Sequence, residues 1–342
     1  MTKGLSTGNG DSSPLVTVVM PAYNAESWIS EAIESVLRQS IASWELFVVD
    51  DCSSDNTQQE VQKFRDPRIS LLSDEKSSQN NHNKKNKGAS YARNIGINAA
   101  RGKYIALLDA DDWYESCHLE LTTMFLEQHP DCSLVTTNYF FVRGDGGREL
   151  GMLPFEVLGR AGNGMIDDFF NFPKRNRTFP ITCGAVFRRE LVPHLGAFDE
   201  AFRIAEDMEF WIRWALKSSF GYIDEPTCCY RVDTQGSNRK NLELSIRMRC
   251  KVWQKLTAAE DKSNPQWPTY AKFRSLCLFR LTAKLVATGF FDEARLLSST
   301  WPQSPSHFYW WLGKSLALMP RMLQKTVHAT IGKMDFVKHR FS

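Results

Sequence analysis

The sequence predicts an α/β protein: a mostly parallel sheet flanked by helices, followed by a C-terminal helical extension. Short apolar runs rich in β-branched residues alternate with helically periodic stretches through the first third of the chain, which calls for a parallel sheet covered on both faces. Two of those runs end in clustered acids. They are Trp44-Glu45-Leu46-Phe47-Val48-Val49-Asp50-Asp51 and Tyr104-Ile105-Ala106-Leu107-Leu108-Asp109-Ala110-Asp111-Asp112-Trp113. Neighbouring strands would thus deliver carboxylates to one sheet edge, where open α/β folds bind ligands. From about residue 241 strand signals vanish and helical ones take over.

Val16-Thr17-Val18-Val19-Met20 reads as a buried parallel strand, broken by Pro21-Ala22-Tyr23-Asn24. A helix follows from Ser27 to Gln39, where Trp28, Ile29, Ala32, Ile33, Val36 and Leu37 recur at helical spacing. Residues 45–49 make the next strand. Ser53, Ser54 and Asp55 then offer N-cap oxygens to a helix of about 56–65, and Ile69-Ser70-Leu71-Leu72 forms a short third strand. Ser77 to Lys87, with four Asn and three Lys, is too hydrophilic to pack and reads as a loop ended by Gly88. Helix 89–100 leads into strand 103–108 and the acidic cluster. Between about 133 and 235 the pattern is mixed, with strand-like pieces at 133–142, 182–188 and 221–232. Three units are expected: a disordered leader over 1–14, one domain over 15–255, and a helical extension over 256–342.

With 342 residues, 42% apolar and 24% charged, the chain can bury a full core, and wholesale disorder is excluded. Met1 to Pro14 lacks the apolar run of a secretory signal, which predicts a cytoplasmic protein. No apolar stretch reaches the roughly 18 residues needed to cross a bilayer. Eight cysteines are scattered, and the close pair Cys228-Cys229 is adjacent rather than spaced as C-x-x-C, so free thiols are expected rather than zinc or a disulfide framework. Lys and Arg number 12 against 5 acids over 256–342, a net +7, and 30 against 34 over 1–255, a net −4. An acidic body therefore carries a basic tail, and such asymmetry marks attraction to an anionic surface.

Asp109, Asp111 and Asp112 place three carboxylates within four positions. They repel one another unless a cation sits among them. A solvated acidic turn, or a helix N-terminus favoured by the macrodipole, is the bland alternative. The wider set of motifs resembles inverting glycosyltransferases of family 2, which have the GT-A fold. The matching pieces are Val18-Val19-Met20-Pro21-Ala22-Tyr23-Asn24, Val49-Asp50-Asp51-Cys52-Ser53-Ser54-Asp55 and Gly88-Ala89-Ser90-Tyr91-Ala92-Arg93-Asn94-Ile95-Gly96. They continue with Leu108-Asp109-Ala110-Asp111-Asp112, Gly196-Ala197-Phe198-Asp199-Glu200 and Glu206-Asp207-Met208-Glu209-Phe210-Trp211. Each is weak alone; the ordered set over about 16–233 is strong.

The resemblance implies Mn²⁺ or Mg²⁺ bound with the donor diphosphate at Asp109 and Asp111, with Asp111 the direct ligand and Asp109 reaching the ribose or a metal-bound water. It implies donor-nucleotide contacts at Pro21, Tyr23, Asp50, Asp51 and Arg93. Of these, Asp50 or Asp51 would accept from the base imide and Tyr23 would pack on the base, a pairing that favours a uracil or thymine ring. Alternatively Asp51 starts a turn with Ser53 and Ser54, Tyr23 is a rim residue, and Arg93 is a solvated helix charge. By the same resemblance Asp207 is the base that takes the acceptor proton, with Glu206 supporting it or contacting the acceptor, although acids also suit a first helical turn backed by Phe210, Trp211, Trp214 and Ala215. Tyr230-Arg231-Val232-Asp233 departs from the family's Y-R-x-H, so either Asp233 or water would complete the metal site. The mixed half would form the acceptor side, with Cys183 in an acceptor-pocket strand and no sign that it is a nucleophile.

The expected function is metal-dependent transfer of a sugar from a nucleoside diphosphate, UDP by preference, to a hydroxyl of a glycan or lipid-linked saccharide in cell-surface polysaccharide synthesis. A non-catalytic carbohydrate-binding or assembly subunit on the same scaffold is the alternative. A nucleotidyltransferase would need a Gly-rich phosphate loop after the first strand, and Pro21-Ala22-Tyr23-Asn24 is not one. The tail segment 306–340, with clustered aromatics and cations, suits either an anionic membrane surface on the inner face or a helical hairpin packed on the domain. No nucleic-acid motif accompanies the basic charge.

Overall fold

Strand β1 (Val16–Ala22) is buried on both faces because its side chains alternate between two separate cores. Val16, Val18 and Met20 join one apolar cluster, and Val19 joins the other. β1 pairs in parallel with β2 (Trp44–Asp50) on one side and β4 (Tyr104–Leu107) on the other, and β2 pairs in parallel with β3 (Ile69–Leu72). The computed structural model behind this description covers residues 13–73, 85–152, 157–158, 160–171, 180–232, 242–287, 290–299, 315 and 317.

The other half of the sheet is mixed. β9 (Ala185–Arg188) runs antiparallel to both β4 and β6 (Cys132–Val142), while β10 (Ser219–Arg231) runs parallel to β6 and carries β5 (Trp113–Tyr114) antiparallel at its far edge. Short strands β7 (Arg148–Leu150) and β8 (Gly164–Met165) extend β6 and β10. The order is β3-β2-β1-β4-β9-β6-β10-β5. The strand expected over 182–188 starts instead as a 3-10 turn at Thr182–Gly184, and only then becomes β9.

Helices cover both faces. On one side α1 (Ile29–Leu37) buries Ile29, Ala32, Ile33 and Val36, beside the short α2 (Thr57–Gln62), and α4 (His118–Gln128) contributes Leu119, Phe125 and Leu126 to the same core. On the other side lie α3 (Ala89–Ala99) and α5 (Glu206–Ala215). Helices α6 (Leu242–Ala258), α7 (Trp267–Ala287) and α8 (Phe291–Ser299) share that second core through Val252, Trp253, Leu278, Leu285 and Leu297. The expected joint at 255/256 thus falls inside α6. The leader, apart from Ser13 and Pro14, and the aromatic run 306–313 lie outside the described residues.

Because β1 to β4 are parallel, their carboxyl ends open on one edge. Register sets Ala22 beside Asp50, and Leu107 beside Val19, so Tyr23, Asp51 and the acid turn 109–112 leave the sheet side by side.

Candidate active site

The first cluster of acids sits past β2. Asp50 and Asp51 are both buried, and the structure gives each a local task. Asp50 accepts from the Ser53 backbone N–H at 3.3 Å and from Gln58 Nε2 at 2.6 Å. Asp51 accepts from the N–H groups of Lys87 and Gly88, at 2.9 Å and 2.6 Å through Oδ2. Gly88 has φ +103°, a conformation that favours glycine, and caps α3. Asp51 therefore anchors the start of α3, while the turn to Ser53 belongs to Asp50. Both acids line a notch with Val49, Cys52, Lys87, Tyr91, Ala92 and Ile95. Tyr23 stands beside that edge, half exposed, and Pro21 lies in β1 opposite Val49.

The second cluster is the turn after β4. It leads into the short strand β5, not into a helix, so no macrodipole accounts for its acids. Arg93 of α3 is 3% exposed and bridges two acids, with Nη2 2.7 Å from Asp109 Oδ1 and Nη1 2.9 Å from Glu206 Oε1. The solvated-charge alternative for Arg93 is excluded by that burial. Burial works against the guanidinium charge, but Asp109 and Glu206 outweigh it and hold Arg93 more firmly protonated than usual. Glu206 is pushed upward by burial, with Arg93 opposing and Asp207 adding to the rise. One buried cation thus ties the acid turn to the Glu206-Asp207 pair, reaching from α3 to α5 over 113 positions.

Asp207 occupies the first turn of α5 and accepts from the Met208 N–H through Oδ1 at 2.7 Å. Behind it Phe210 stacks on Phe198 at 4.3 Å and on Trp214 at 4.7 Å, and such aromatic pairs contribute about 0.5–1.5 kcal/mol each beyond their burial. The core face and the acid pair coexist on one helix. Ala205, just before Glu206, sits at φ +62°, a left-handed conformation that costs a non-glycine residue about 1–2 kcal/mol. The preceding loop is clamped by α3: Ser90 Oγ donates to the Phe202 carbonyl, and Asn94 exchanges hydrogen bonds with the Phe198 backbone. The sequence motifs contain these clamping residues but do not show their task, because polar positions on a helix read as solvent-facing until the partner loop is placed.

Asp112 is 1% exposed. Its Oδ1 accepts from the Arg231 N–H at 2.9 Å, and its Oδ2 has no hydrogen-bond partner. Burial, then the charges of Asp111 and Asp109, push this carboxyl well above the usual range. Excess negative charge and an orphaned oxygen suit a hard cation, which takes oxygen ligands. Among the described residues no three His, Cys, Asp or Glu side chains form a group able to hold a metal ion, so the remaining ligands would have to come from substrate oxygens or water. Asp233 lies outside the described residues. Beneath the turn, Cys183 and Cys228 are buried with sulfurs 3.5 Å apart, and burial, then Cys228, push the Cys183 thiol up, which suits packing rather than nucleophilic attack.

A model of the family described as glycosyl transferase family 2 matches residues 17–196. Escherichia coli UDP-Glc:alpha-D-GlcNAc-diphosphoundecaprenol beta-1,3-glucosyltransferase WfgD is 41% identical over 131 residues, which are 38% of this chain and 48% of that protein. Putative teichuronic acid biosynthesis glycosyltransferase TuaG of Bacillus subtilis is 36% identical over 135 residues, 39% of this chain and 50% of that one. The chain spans half the length or less of these two curated relatives. Among solved structures, S. aureus TarS 1-349 in complex with UDP-GlcNAc superposes with a TM-score of 0.68 at 19% identity, covering 95% of this chain and 92% of that one. That likeness establishes a shared GT-A architecture.

Proposed function

The chain belongs to glycosyl transferase family 2, and on that premise we propose that it transfers a sugar from a nucleoside diphosphate, UDP by preference, to a hydroxyl of a glycan or lipid-linked saccharide in cell-surface polysaccharide synthesis. The observation that carries this reading is Arg93, buried and shared between Asp109 on the donor side and Glu206 beside the base. The names of WfgD and TuaG, and the UDP-GlcNAc bound to TarS, support the substrate classes.

In the proposed reaction the notch at Asp50, Asp51, Lys87 and Tyr91 receives the nucleotide base, with Tyr23 and Pro21 at its rim. Asp111, with Asp109 beside it, would hold Mn²⁺ or Mg²⁺, which supplies positive charge against the departing diphosphate. Asp207 Oδ1 is engaged by the Met208 N–H, so Oδ2 takes the proton of the acceptor hydroxyl. As that proton leaves, the acceptor oxygen forms its bond to the anomeric carbon, the bond from that carbon to the diphosphate oxygen breaks, and the electron pair departs with the diphosphate. Attack from the face opposite the leaving group inverts the anomeric centre. Glu206, neutralised in part by Arg93, keeps its charge from competing with Asp207.

The division into a catalytic unit over 15–255 and a helical extension over 256–342 belongs to this proposal, with the amendment that α6 spans the joint. No helix among the described residues is long and apolar enough to cross a membrane. We place the reaction on the cytoplasmic side, with segment 306–340 either meeting the anionic inner face or packing on the domain. The test is release of UDP from UDP-sugars with and without EDTA. Asp111→Ala should retain its melting temperature and lose metal-dependent release, and full turnover by that variant would remove the metal assignment.

A further inference from the structure

Arg231, the last residue of β10, grips the acid turn from 120 positions downstream. Its backbone N–H donates to Asp112 Oδ1 at 2.9 Å, and its side-chain Nε donates to the backbone carbonyl oxygen of Asp111 at 3.0 Å. Nη2 pairs with Glu31 Oε2 of α1 at 2.5 Å. The guanidinium carbon lies over two indoles, 4.5 Å from the Trp28 ring centroid and 4.7 Å from that of Trp113. A flat, forked cation can stack on two rings and still donate in its own plane; a lysine ammonium cannot do both.

The turn needs such a hold. Three carboxylates within four residues push one another apart, and a turn without outside restraint relaxes by rotating its peptides. Arg231 counters this at the main chain, and its contact with Asp111 is to the carbonyl rather than the carboxylate. Resting on the reading that Asp111 and Asp109 receive the donor diphosphate, we propose that Arg231 is a positioning residue, which fixes the Asp111-Asp112 peptides so that the Asp111 carboxylate is presented in one orientation. Trp28, Trp113 and Glu31 form the socket that fixes Arg231. The socket couples α1 to the acid turn, so the first helix of the chain takes part in aligning a site formed by later strands.

The experiment is a titration of the full chain with MnCl₂ and UDP, with free manganese followed by electron paramagnetic resonance and UDP binding in EDTA measured in parallel. Arg231→Met should weaken manganese–UDP binding about tenfold, as loss of an outer-shell partner does at other metal sites, while metal-free UDP binding holds. Arg231→Lys, which keeps the charge near Glu31 but not the fork, should fall between native and Met. Trp28→Leu, which removes one wall and touches no acid, should shift the same quantity in the same direction. Native manganese–UDP affinity in folded Arg231→Met or Arg231→Lys overturns the inference. So does an equal loss of metal-free UDP binding, which marks general damage to the site. If Arg231→Met does not fold, the Lys and Trp28 variants decide. Failure of the unmodified chain to bind manganese with UDP would instead bring down the donor reading, and this inference with it.

Discussion

Burial, more than residue type, sets what each ionisable group can do here. Arg93 looks like many helix arginines in the sequence and becomes the shared cation of the site only because 3% of it remains exposed. His118 was not visible as a special residue at all. It is fully buried in α4, stacked on Tyr114 at 4.0 Å with Nδ1 2.7 Å from Thr227 Oγ1, and burial lowers its pKa from 6.5 to about 3. Between those two values the unfolded chain takes up a proton that the native chain refuses. Stability is therefore full above pH 6.5 and falls as the medium acidifies. This one group should cost about 2 kcal/mol between pH 8 and pH 5, a loss that His118→Asn removes. Urea unfolding of both proteins at the two pH values measures it, and identical pH dependence would show that His118 is not the buried neutral group described.

Helix α3 links the acid turn after β4 to the Glu206-Asp207 pair. Its N-terminus hangs on Asp51, its middle carries Arg93, and its polar residues hold the loop ahead of α5. It can do this only by lying close on the sheet. Gly96 allows that, since a Cβ there would come within 2.5 Å of Val19 Cγ1 in β1. Gly96→Val should destabilise the protein by about 1–3 kcal/mol, the usual cost of overpacking, and lower turnover by lifting Arg93 off its acids. A melting curve and an activity assay on the same preparation check both halves; a variant with native stability would mean that α3 has slack. The helix itself was legible from its spacing and from Gly88. Its task was not, because Ser90 and Asn94 become informative only against a loop more than a hundred residues away.

The described residues form one sheet between two large cores, and the C-terminal helices complete the second of them. Phe169 meets Phe220 of β10 at 5.2 Å, Phe170 meets Tyr270 of α7 at 5.1 Å, and Lys255 of α6 pairs with both Asp199 and the buried Glu209 at 2.7 Å. Ending the chain after residue 255 should therefore leave a sticky, less stable body. Dye binding to exposed apolar surface should rise and the melting temperature should fall; a monodisperse truncation with unchanged melting would show that the extension is a separate unit. The longer strands, the parallel half of the sheet and the acid turns could be read directly from the chain, since apolar runs, period and turn residues are local properties that physics expresses within a few residues, whereas the two- and three-residue strands β5, β7 and β8 could not. Which acid faces which cation could not. Arg93 with Glu206, Arg231 with Glu31 and the Asp111 backbone carbonyl, and Asp51 with the start of α3 are pairings between distant segments. Only the packing of helices on the sheet brings those groups within hydrogen-bond reach, and at Arg93 and Asp51 it also strips them of water, which is what makes them matter.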